Sequence, residues 1–131
     1  MSWTLTIPGV AREVTLEDLE RHREDLRQQL REAPGDGRLH LELGLLEKLL
    51  GGSAGYGAAF HHLGRALDLL PRQATPERQR ALFVLALTHG DVGDPRSALE
   101  RFAQVVHVDR TTRAARAAWD YAQAYRQHYG I

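Results

Sequence analysis

The 131-residue chain contains no cysteine, which excludes disulfide staples, thiolate nucleophiles, thiolate metal sites and thiol redox switches. Net charge is missing as well. Seventeen basic side chains balance seventeen acidic ones, so no global field draws the chain toward nucleic acid, an anionic membrane or an acidic polymer. The longest apolar run, Ala81 to Leu87, falls far short of the roughly 20 residues needed to span a bilayer. The opening segment MSWTLTIPGVAREV has neither the basic region nor the continuous apolar stretch of a secretory signal, which makes a cytoplasmic location the expectation. Lysine is nearly absent too: Lys48 stands beside sixteen arginines, a bias that fits GC-rich coding before it fits a function.

The residues that carry catalysis elsewhere are present without the spacing that catalysis needs. Seven histidines include no pair four apart on one helix and no HExxH-like element, so no metal centre is expected. The run Gly51 to Gly57 lacks the lysine and the following serine or threonine of a phosphate-binding loop, and no strand precedes it; it reads as a lengthened turn. Ser2, Ser53 and Ser97 fall in a tail, a glycine loop and a helix start, none of them an oxyanion-forming elbow. Arg23, Arg27 and Arg31 form an i, i+4 ridge interleaved with Glu20, Glu24 and Glu32, the pattern of a solvated, self-paired helix face. The expectation is a protein without enzymatic activity, cofactor or nucleic-acid partner.

Along the chain, Trp3, Leu5 and Ile7 alternate with polar residues before Pro8-Gly9, which predicts an extended N-terminal tail over residues 1–14. Two fates stay open for it: packing on the body of the molecule, or pairing with a partner. From Thr15 the period becomes helical. Thr15 and Asp18 form a capping box ahead of Leu16, Leu19, Leu26 and Leu30, and Ala33-Pro34-Gly35 ends that helix. Further helices are predicted over about 37–50, 58–70, 75–90, 95–108 and 112–129, with Thr75-Pro76 and Asp94-Pro95 as start signals. No strand is expected among them. Ala98, Phe102 and Val105 share one face of the fifth helix, and the whole chain is expected to be all-α.

The series Leu82, Leu85, Ala86 and His89, followed by Gly93-Asp94, Ala98, Phe102 and Val105, resembles the tetratricopeptide repeat of about 34 residues. The same template fits His40, Leu43, Gly44, Tyr56, Ala59, Leu63, Ala66 and Pro71 when the intervening turn holds three extra residues, and Ala118, Tyr121, Ala122 and Tyr125 match its first helix again. Leu82 and Arg110 stand where the repeat has its tryptophan and its closing proline. The resemblance covers residues 15–131 as a half repeat, two full repeats and a closing helix. It implies antiparallel helical hairpins, about six helices in all, stacked as a short right-handed solenoid.

In repeats of this kind the first helices line a concave surface. Aligning Leu43, Leu85 and Tyr121 brings Arg38, Arg80 and Arg116 to one position, and Leu41, Phe83 and Trp119 to the next turn. Leu45, Leu87 and Gln123 then share a position, as do Lys48, Gly90 and Arg126. The expected inner surface is thus a row of arginines beside a row of large apolar side chains. Glu42, Val84 and Asp120 occupy positions where the carboxylate-binding members of the family carry asparagine, a departure from that subgroup. Because the fourth helix is apolar nearly all round, something covers its second face: a bound segment, the tail, a second copy or the molecule's own curvature. The functional expectation is a module that binds a protein or peptide combining apolar and acidic groups. Its rival is a structural module that self-associates through the groove or an end helix.

Overall fold

Residues 2–7 and 10–131 are described in a computed structural model of the chain, with side chains described from Val14 onward. Strand β1 (Ser2–Ile7) pairs antiparallel with β2 (Val10–Thr15), Ser2 facing Thr15 and Ile7 facing Val10. This corrects the expectation of a lone extended tail: the partner is the next segment of the chain, where the charged centre Arg12-Glu13 breaks the apolar alternation that marks a strand. The docking expected of the Trp3, Leu5 and Ile7 side chains, and the Pro8-Gly9 turn, lie outside the described residues. Val14 is buried with Leu19, Leu26 and Leu30 of the first helix and Leu43 and Leu46 of the second, and so anchors the ladder to the helical body.

Helix α1 (Leu16–Glu32) starts at the expected capping box: the Asp18 amide donates to Thr15 Oγ1 and the Thr15 amide to Asp18 Oδ2, both at 3.1 Å. Asp36 caps α2 (Gly37–Gly51) by accepting from the Arg38 and Leu39 amides. The glycine-rich break is narrower than expected. Helix α2 continues to Gly51, one 3-10 turn covers Gly52–Gly55, and α3 (Tyr56–Leu69) follows. Ala74, not Thr75, holds the cap position of α4 (Thr75–Asp91), with Pro76 in its first turn. Asp94 and Thr112 cap α5 (Pro95–Val108) and α6 (Arg113–Tyr129).

Each helix packs on its neighbours in sequence, most extensively within the α2–α3 and α4–α5 hairpins, and α2 also touches α4 as α4 touches α6. Small residues set these approaches. A β-carbon at Gly44 would lie 2.8 Å from Leu63 Cγ, and Ala59, Ala66, Ala86 and Ala98 have no exposed surface. Leu41, Leu63, Leu70, Ala81 and Leu85 fill the space around α2, α3 and α4, while Phe102 sits among Leu82, Ala98, Val105 and Ala118 between α4, α5 and α6. Polar groups inside are paired: Thr88 Oγ1 donates to Val84 O at 2.6 Å, and Arg78 reaches from α4 to the carbonyls of Leu67 and Leu70 that close α3. Among the described residues no helix is long and apolar enough to cross a membrane.

Phenylalanine in place of fully buried Ala98 overpacks the α5 crossing and is expected to cost about 1–3 kcal/mol, read as a lower melting temperature. The same change at exposed Ala103, on the opposite side of α5, is expected to leave the melting temperature nearly unchanged.

Candidate functional site

The residues expected to line one groove do not form a single lining. Leu41 is buried in the core between α2, α3 and α4, so it is out of reach of a partner, and Leu45 packs half-buried against the same cluster. Arg38 and Lys48 of α2 reach Glu77 and Asp91 of α4, at 3.8 and 3.1 Å. On α4, Phe83 meets Phe102 and Tyr121 edge-on, with ring centroids 5.5 and 5.4 Å apart, and Leu87 packs half-buried against that cluster. Tyr125 lies over Gly90, where a side chain would collide with its ring. These rows face the next helix but one: α4 lies over the row on α2, and α6 lies against Phe83, Leu87 and Gly90 of the row on α4 while Arg80 stays exposed. On α6 the equivalent row is open. Arg116 and Arg126 are exposed, Gln123 is half-buried and Trp119 is 55% exposed.

Arg80 and Phe83 do meet, in a cleft of about 600 Å³ between α4 and α6. Pro76, Phe83 and Val84 form one wall; Thr112, Ala114 and Ala117 form the other; Arg80 and Arg113 stand at its edges. The cleft is anchored beneath by Gln79, whose Nε2 donates to Val105 O and Asp109 O, both at 2.9 Å, and so ties α4 to the turn before α6. No carboxylate lines this cleft. Arg113 occupies on α6 the position that Glu77 occupies on α4 when Leu85 and Tyr121 are aligned, so where α2 and α4 pair Arg38 with Glu77, the α4–α6 cleft holds two cations. Two guanidinium groups without a carboxylate give the carbon-lined cleft a positive rim. Phasing the α6 sequence one turn earlier would have found Arg113 by its reversal of sign.

A second polar cluster escaped the sequence reading because its members are distant in sequence. His40 Nε2 donates to Pro34 O at 2.9 Å, which leaves its Nδ1 as acceptor for His62 Nδ1–H at 3.0 Å when both rings are neutral. Close by, Glu47, only 6% exposed, accepts from Arg27 at 2.7 Å with Arg23 at 4.0 Å. The arginine ridge of α1 is therefore only partly self-paired: Arg27 and Arg31 reach Glu24, at 3.6 and 3.4 Å, while Arg23 and Arg27 bind α1 to α2. Among the described residues, no group of three or more histidine, cysteine, aspartate or glutamate side chains is placed to hold a metal ion.

Burial, reinforced by neighbouring His61 and His40, lowers the His62 pKa from 6.5 to about 4. Between those values the unfolded chain binds more protons than the folded one, so this contribution to stability is complete above pH 6.5 and is lost as pH falls toward 4. Burial and then Arg101 shift His89 in the same direction. Asp94 and Asp109, held down by hydrogen bonds from Ser97 and Thr111, act in a separate window below 3.8. Melting temperatures followed by circular dichroism are expected to rise between pH 4 and 6.5, and to rise less steeply in His62→Phe.

No family model matches the chain, and no curated protein matches it in sequence.

Proposed function

We propose that the chain is a non-catalytic, cytoplasmic protein-interaction module. In this reading it is a short right-handed stack of helical hairpins of the tetratricopeptide type, made of a half repeat, two full repeats and a closing helix. Its binding site is the α4–α6 cleft, and its ligand is a segment of another protein that places an apolar side chain beside a carboxylate. The observation that carries this reading is the cleft itself: about 600 Å³ of carbon-lined space edged by Arg80 and Arg113, with no acidic residue of its own. That volume falls within the range of roughly 300–1,000 Å³ typical of ligand sites. The apolar floor supplies affinity through desolvation, and the two arginines select for negative charge and speed encounter.

The test uses fluorescein-labelled peptides carrying one leucine or phenylalanine flanked by glutamates, against the same peptides flanked by lysines, with affinity read by anisotropy. The acidic set is expected to bind and the basic set to fail. Arg80→Glu with Arg113→Glu is expected to weaken the acidic peptides at least about tenfold while leaving the fold intact, and Phe83→Ala to cost about 2 kcal/mol of binding. Equal affinity of the acidic peptides for the double arginine variant and the parent protein would refute the cleft as the site.

A further inference from the structure

The open row on α6 has a counterpart on α2, where the covering surface is visible. On α2, Arg38, Leu41 and Lys48 are met by α4, which brings Glu77 to Arg38, Ala81 and Leu85 to the cluster around Leu41, and Asp91 to Lys48. The covering element is thus a helix with a carboxylate near each end and small and large apolar residues between. The two carboxylates pair first with first and last with last, so α2 and α4 run in the same direction. On α6 the corresponding residues are Arg116, Trp119 and Arg126.

The surroundings of Trp119 are built like a helix seat. On one side Leu99, Ala103 and Val106 of α5 and Ala122 of α6 form an apolar cleft of about 140 Å³ with Arg126 at its edge. On the other side, Arg110 and Arg116 flank the indole. Among the described residues, the acidic partner of Arg116 is the exposed Asp120 one turn on, at 3.6 Å, an i, i+4 contact that contributes little in water. The opposite end of the molecule is different. Apart from Leu16 and His22, the exposed residues of α1 are charged or amide side chains such as Glu17, Glu20, Arg21 and Gln28, a polar outer face. An isologous contact between two copies of the α6 face would oppose arginine to arginine, which disfavours a second copy as occupant.

We infer that the α5–α6 face seats an amphipathic helix of a partner protein. That helix runs parallel to α6, sets apolar residues over Trp119, and places one carboxylate against Arg116 and another against Arg126. The inference rests on the stacked-hairpin reading proposed above but uses a surface separate from the α4–α6 cleft.

The probe is a synthetic peptide of residues 75–91, blocked at both ends, because α4 is the helix that covers the equivalent row. In a Trp3→Phe protein, where Trp119 is the sole tryptophan, its emission is expected to shift to the blue and saturate as peptide is added. A fluorescein-labelled copy is expected to lose at least about tenfold in affinity for Trp119→Ala. Exchanging Glu77 and Asp91 for arginine in the peptide is expected to weaken binding to a similar degree, and Arg116→Glu with Arg126→Glu in the protein to restore it. Arg80→Glu with Arg113→Glu leaves this affinity unchanged if the end face is the seat; its loss there would move the peptide to the cleft and overturn the proposal. Indifference to Trp119→Ala, an absent emission shift, or a dimer in sedimentation that Trp119→Ala dissociates would overturn it as well.

Discussion

The distance at which α2 and α3 cross sets where α4 can lie. Gly44 lets Leu63 come within van der Waals range of the α2 backbone, and Ala59 and Ala66 do the same from the opposite helix. With that spacing α2 and α3 share one layer of leucines, and α4 can close over them and still reach α2 directly. The ion pairs Arg38–Glu77 and Lys48–Asp91 are consequences of this approach rather than its cause, since exposed pairs of this kind contribute up to about 1 kcal/mol. Widening the crossing would separate the pairs before it disturbed either helix.

Small buried residues recur between α4, α5 and α6, at Ala86, Ala98 and Ala118, with different chemistry around them. Phe102, stacked on Tyr121 and meeting Phe83 and Tyr125 edge-on, replaces the leucine layer by an aromatic one. Large rings fill the interior, while Ala114 and Ala117 are too small to close the outer part, and the cleft lies where they fall short. Arg113 in place of an acid then leaves that cleft charged. The α2–α4 and α4–α6 contacts differ in a few side chains, and those few decide where a cleft stays open.

Much of the helical organisation was legible because capping chemistry is local. Thr15 with Asp18, and Asp94 with Pro95, mark their helices within a few residues, the Thr75-Pro76 signal is displaced by one, and the buried stripe Ala98, Phe102, Val105 follows from the helical period alone. The ladder of β1 and β2 was not legible, since Arg12 and Glu13 give its second strand no apolar alternation and pairing is a non-local choice. For the candidate site, phasing set Arg80 and Phe83 on one row, and both line the α4–α6 cleft, but it placed Leu41 on a surface although it is buried. A helix position carries an angle, and the angle alone does not say whether the next helix lies over it: Leu41 is covered, and Trp119, at the same angle, is open. His40 and His62 meet through the crossing of α2 and α3, a relation no spacing along one helix records.

Gln79 has a kinetic meaning. By binding the carbonyls of Val105 and Asp109 at once, it fixes from α4 the turn that leads into Thr112 and Arg113, so both walls of the cleft are held by one side chain. In the proposed binding role, a ligand of that cleft would meet a finished surface with no loop to order. Its association would then be governed by diffusion and charge steering, with rates that differ little between related ligands. Discrimination among them then resides in how long each stays.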